Sequence, residues 1–230
     1  MIDLPDCSVT ETHARGLRRA EDRWVERRRA SWSLQHKPRR FGPRVRSLHQ
    51  LYLNVYGEGR VRLKEETKKS AVWFCVEHDD DARYRLAVRR LERRPGRSVP
   101  GYGRLALEAT PHAYERFIQA KARLASDWVD LLVEIFERLR AAPGFDRDAA
   151  AEGAQQVCWR RAGCVKLHLP RALAIVEIPA RGNAVLRTLV DEAALIGPNR
   201  ELWETLGASE RKVQFEEDSL TQHLRSSNPN

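Results

Sequence analysis

Apolar and polar positions alternate along this chain with several periods, and each period predicts an element. Ser8-Val-Thr-Glu11 fits a capping box, in which a hydroxyl takes an orphan backbone N–H while the glutamate reaches back. Helix-forming residues continue to about His36, with Leu17, Trp24, Arg28 and Trp32 roughly on one stripe, and Pro38 is expected to end the run. "LYLNVY" (51–56) alternates Leu51, Leu53 and Val55 against Tyr52, Asn54 and Tyr56. With the Gly57-Glu58-Gly59 turn and "RVRLK" (60–64), it reads as a hairpin. A second hairpin joins "AVWFCVE" (71–77) to "RYRLAVRRL" (83–91) through an acidic turn at Asp79–Asp81. Its last strand sets Arg83, Arg85 and Arg89 on one face and Tyr84, Leu86 and Val88 on the other.

"RRPGRSVPGYG" (93–103) reads as a Gly/Pro loop, with "RLALE" (104–108) as a fifth strand. Thr110-Pro111 is an N-cap followed by proline at the first helical position. From there a long amphipathic helix is expected to about Ala142, with Tyr114, Phe117, Lys121, Leu124, Trp128, Leu131, Ile135 and Leu139 at alternating three and four spacing. A helix over 147–161, strands at "CVKLHL" and "LAIVEI" (173–178), a helix over 183–197 and a short one at "RELWETLG" complete the pattern. From Ser209 the chain is polar and reads as a frayed tail. The expected fold class is α+β: an Arg-rich N-terminal helix, an antiparallel β meander and a mostly helical C-terminal half. The expected division is 1–109 as a basic helix-plus-sheet region, 110–208 as a mostly helical core that could dock on a partner, and 209–230 as the tail.

Charge sharpens this division. The 230 residues carry a net charge of +9. Residues 1–109 hold 25 Lys/Arg against 15 Asp/Glu, and residues 110–230 hold 16 against 17, so all the excess lies in the first half. Residues 22–46 alone hold nine basic residues against two acids, with Trp24 and Trp32 among them. Thirty-four of the 41 basic residues are Arg, a ratio that a GC-rich genome also produces, but codon bias does not explain why the excess stops near residue 109. A one-sided basic surface is what an acidic partner selects. Arginine binds phosphate bidentately, and a nearby aromatic ring offers a base a stacking surface.

The residues expected to contact nucleic acid are Arg19, Arg23, Arg27, Arg28, Arg29, Arg39, Arg40, Arg44, Arg46, Arg60, Arg62, Arg83, Arg85 and Arg89. Arg19, Arg23 and Arg27 are like charges at i, i+4 spacing, and a bound polyanion would relieve their repulsion.

Three constellations could carry chemistry instead. Cys158-x5-Cys164-x3-His168 matches the second half of a CCCH zinc finger, yet Ala149 stands where the next ligand would fall. "EHDDD" (77–81) gathers hard oxygen ligands for a divalent cation, at a place where a hairpin must turn. Arg44-x4-His49 has the spacing of a HEPN ribonuclease motif, but Pro43 precedes it and a predicted strand follows. Glu177 lacks the following x-Lys of a PD-(D/E)XK nuclease, and no Walker A loop or nucleophile elbow is present.

The apolar runs are far shorter than the roughly 18–20 residues of a membrane span. The N-terminus lacks a signal-peptide pattern, and the four cysteines are too scattered for a disulfide framework. A cytoplasmic setting is therefore expected, with no cofactor, no metal and no membrane partner. The expectation is a sequence-independent nucleic-acid binder, RNA and DNA undistinguished, acting as a non-catalytic subunit beside other proteins. The alternatives are a small nuclease and a protein-interaction module.

Overall fold

The computed structural model describes residues 10–30, 41–78, 83–95, 97–124, 126–141, 163–179, 182–209 and 213–216. The fold is α+β, organised on an eight-stranded mixed sheet of order β1-β2-β3-β4-β7-β6-β5-β8. β1 (Val61–Glu66), β2 (Ser70–His78), β3 (Tyr84–Arg94) and β4 (Arg97–Ala109) form an antiparallel meander. β5 (Gly163–Leu169), β6 (Ala172–Ile178), β7 (Ala184–Asp191) and β8 (Val213–Glu216) form a second antiparallel set. The two sets meet where β4 and β7 pair in parallel over Leu107–Ala109 and Ala184–Leu186.

α3 (Pro111–Leu124) and α4 (Trp128–Ala141) bury their apolar stripes on one face of the sheet. Phe117, Trp128, Leu132 and Ile135 meet Leu86, Leu107, Leu167 and Leu186 there in one core. On the other face, α2 (Phe41–Tyr56) covers β1 and β2 with Val45, Tyr52, Val55 and Tyr56, against Trp73, Cys75 and Leu91. At the far end of that same face, α5 (Gly197–Ala208) packs Leu206 and Trp203 on Leu173.

Several expectations are corrected. Residues 51–56 are the C-terminal part of α2, not a strand: Val45, Tyr52, Val55 and Tyr56 have helical spacing once the window reaches back to 41, and Pro43 lies in the first turn, where a missing N–H costs nothing. Of the supposed loop over 93–103, residues 93 and 94 end β3 and residues 97–103 are the first part of β4. Pro100 is tolerated because β7 joins β4 only near its end, leaving this stretch with one neighbour, β3. The long helix is two helices, separated at Ser126-Asp127, residue types that favour an N-cap before Trp128. Residues 184–191 are a strand where a helix was expected, and Glu192–Ala194 form a 3-10 turn. β7 lies between two neighbours with both faces covered in part, so its apolar run shows neither period cleanly. The C-terminal half is thus partly sheet, and β8 lies in what reads as a tail. The Thr110 cap is as expected: its Oγ1 accepts the Ala113 N–H at 3.1 Å. The predicted helix over 147–161 and the Ser8 capping box lie outside the described residues; Thr10 Oγ1 accepts the His13 N–H at 3.3 Å instead.

The N-terminal helix α1 (Glu11–Ala30) is held by charge as much as by apolar contact. Arg60, just before β1, is only 3% exposed. It donates to Asp22 at 3.1 Å and Glu21 at 3.3 Å, and it lies 5.2 and 4.9 Å from the ring centres of Tyr84 and Tyr114. The Tyr84 hydroxyl lies within 3.0 Å of both Asp22 oxygens. Arg18 bridges Asp22 and Glu115 at 3.1 and 2.9 Å. Burial opposes the charge on Arg60, but Tyr114, Tyr84 and Asp22 outweigh it and raise its pKa above the ordinary value. Removing one partner of such a buried set leaves a desolvated charge behind. Asp22→Ala should therefore cost about 3–5 kcal/mol in chemical unfolding, whereas Glu26→Ala, exposed on the same helix, should stay within about 0.5 kcal/mol.

Candidate functional site

With Ala14, Asp22 and Val25 turned into the protein, the far side of α1 faces solvent. It presents Arg19, Arg23 and Arg27, all exposed and in no ion pair among the described residues, at steps of about 6 Å along the axis. Glu26 shares this side. Arg28 lies over the Trp24 ring, 4.8 Å from its centre. Gly57, with φ 88°, ends α2 against that same ring; a Cβ there would lie 3.8 Å from it.

The other arginines expected at an interface divide differently. Arg60 is buried in the network that holds α1. Arg62 pairs with Asp127, at 3.0 Å, and with Asp130. Arg83 and Arg85 each reach Glu108 at 3.0 Å, and Arg89 pairs with Glu77. Arg44 donates to the Ser98 carbonyl at 3.2 Å. Arg46 is exposed on α2. Arg39, Arg40 and the side chain of Arg29 lie outside the described residues.

The basic side of β3 is therefore an ion-pair surface. Glu77, Arg85 and Glu108 stand directly opposite one another across β2, β3 and β4. Glu77 accepts the Tyr56 hydroxyl at 3.3 Å and the Tyr102 hydroxyl at 2.9 Å, and Arg89 lies 4.3 Å from the Tyr102 ring centre. Asn183 donates to Glu108 at 2.8 Å. Phosphate binding here would compete with carboxylates already in place.

The catalytic alternatives find little geometry. Among the described residues no group of three or more His, Cys, Asp or Glu could hold a metal. Cys158 and Asp79–Asp81 lie outside the described residues, while Cys164 and His168 stand four positions apart on β5, with His168 stacked on Trp203 at 4.9 Å. Glu77 is engaged by its arginine and two tyrosines. Arg44 and His49 do share a helix, which continues through the 51–56 segment expected as a strand after them, but five residues place them about 140° apart around its axis.

One further basic region is formed by the fold. In a meander, alternate turns share an end, and here the β1–β2 turn lies beside the β3–β4 turn: the Lys69 carbonyl accepts the Arg93 N–H at 2.7 Å. Lys68, Lys69, Arg93 and Arg97 are exposed there. The signal was available, since "KK" and "RRPGR" are the two turns that a meander must bring together.

Compared with protein-family models, curated proteins and solved structures, the chain has no match.

Two titrations follow from these contacts. Burial alone would raise the Glu108 pKa, but Asn183, Arg83 and Arg85 outweigh it and hold the carboxyl below its usual range. Its stabilisation is then present above the unfolded value of about 4.3 and is lost as pH falls through the lower folded value. Glu108→Gln should be less stable than wild type at neutral pH, and thermal melts should show the gap closing below about pH 4. Cys75 is fully buried, and burial pushes its thiol up to about 12. In the native protein at pH 8, a thiol reagent counted by mass spectrometry should leave Cys75 unmodified until denaturant is added.

Proposed function

We propose that the protein binds the phosphate backbone of nucleic acid, without base specificity, through the outward face of α1. The observation that carries this reading is the ladder of Arg19, Arg23 and Arg27. These three cations repel one another and have no partner among the described residues, on a helix locked from behind by a buried ion-pair network. Elsewhere in the N-terminal half, Arg60, Arg62, Arg83, Arg85 and Arg89 all have carboxylate partners. A fold that pairs its structural arginines and leaves three in register on a rigid surface has prepaid the ordering of that surface. Arg28 on Trp24 adds a guanidinium–aromatic pair beside the ladder, of the kind that stacks bases in sequence-tolerant binding.

Backbone binding releases counterions, so affinity falls linearly with the logarithm of salt, with a slope near −0.9 per phosphate for duplex and −0.7 for single strands. The test is fluorescence anisotropy with labelled single-stranded RNA, single-stranded DNA and duplex DNA across about 50–200 mM salt. R19A/R23A/R27A should reduce the slope by about 2 for single strands and by nearly 3 for duplex. The same variant should melt at an unchanged or slightly higher temperature, because two like-charge i, i+4 pairs are removed, each worth a few tenths of a kcal/mol. An unchanged slope would refute the assignment of the ladder.

A further inference from the structure

We infer that the shared end of the first and third hairpin turns is a second polyanion contact, so that the ligand is a polymer spanning both ends of α2 rather than a short oligonucleotide. This rests on the backbone-binding reading of α1.

The second region is a built surface. Thr67 Oγ1 accepts the Lys69 and Ser70 N–H groups at 3.1 and 2.9 Å, which fixes the β1–β2 turn, and the Arg93 N–H ties it to β3. Arg94 stands opposite Arg97 across the last pair of the β3–β4 hairpin. Glu92 is taken up by Arg94 at 3.5 Å and Arg90 at 3.9 Å, and Glu65 and Glu66 are the nearby acids on β1. Lys68, Lys69, Arg93 and Arg97 are exposed and make no ion pair among the described residues. Four unneutralised cations on two tied turns repel one another as the α1 ladder does.

α2 sets the spacing. Its C-terminal end meets α1 at Gly57 and Trp24, and near its N-terminal end Arg44 reaches Ser98, one residue past Arg97. The thirteen residues from Arg44 to Gly57 span about 20 Å along the helix. At 3.4 Å per nucleotide along one strand of a duplex, that is about six base pairs between the two contacts. A ligand shorter than this engages one region at a time; a longer one neutralises both.

The test measures salt slopes for duplex DNA of about 5 and about 16 base pairs, with the full chain and two variants, R19A/R23A/R27A and K68A/K69A/R93A/R97A. Wild type is expected to show a slope steeper by about 3 on the long duplex than on the short one, and the turn variant the same slope on both. R93K/R97K, which keeps the charge, should retain the wild-type length dependence and serves as the control for altered turn structure. A wild-type slope independent of length, or a turn variant identical to wild type on the long duplex, overturns the bridge. If the ladder variant still loses slope in that case, backbone binding by α1 stands alone. If wild type binds neither duplex at about 50 mM salt, both readings fall.

Discussion

A guanidinium carried into a protein interior must be met by charge and hydrogen bonds, and Arg60 fixes how α1 lies on the rest of the molecule. Asp22 takes its charge, Tyr84 hydrogen-bonds the same carboxylate, and Arg18 extends the set to Glu115 on α3. α1, the turn before β1, β3 and α3 are thereby joined through one buried group of polar side chains. Charge in such a place is costly unless it is paired, so the pairs of Arg60 with Asp22 and Glu21 and of Arg18 with Asp22 and Glu115 hold the rotation of α1 as well as its attachment. That rotation is what turns Arg19, Arg23 and Arg27 outward.

The N-terminal half therefore uses arginine in two ways that composition cannot separate. Arg62 and Asp127, Arg85 and Glu108, and Arg18 and Glu115 are 65, 23 and 97 residues apart. No window along the chain would pair them. A charge excess of +10 over residues 1–109 is compatible with a surface basic throughout, and also with what is found, an ion-paired sheet face flanked by two basic regions. Arg85 and Arg89 share one face of β3 as expected; that the same face carried Glu77 and Glu108 needed the register of three strands.

Where the fold was legible, the signal was local and chemical. Thr110 before Pro111 marked the start of α3, and the alternation of 71–77 and 83–91 located β2 and β3. It failed where a short pattern was taken out of its setting. Six alternating residues at 51–56 looked like a strand until joined to the ten before them. Ser126-Asp127 interrupted an apolar stripe that continued in phase across the break. In 184–191 the apolar run belongs to a strand near the middle of the sheet, a position defined only once β4 is its neighbour. The two basic turns are the instructive case for the site: each was visible, but their meeting depends on the meander.

The division of the arginines into structural and exposed sets can be measured directly by modifying the native protein with an arginine-specific dicarbonyl and mapping the adducts by mass spectrometry, with and without a polyanion. That division predicts fast modification at Arg19, Arg23 and Arg27, suppressed when the polyanion is present, and none at Arg60 or Arg18 until the protein unfolds. Equal reactivity across both sets, or no protection of the α1 arginines by any polyanion, would contradict it.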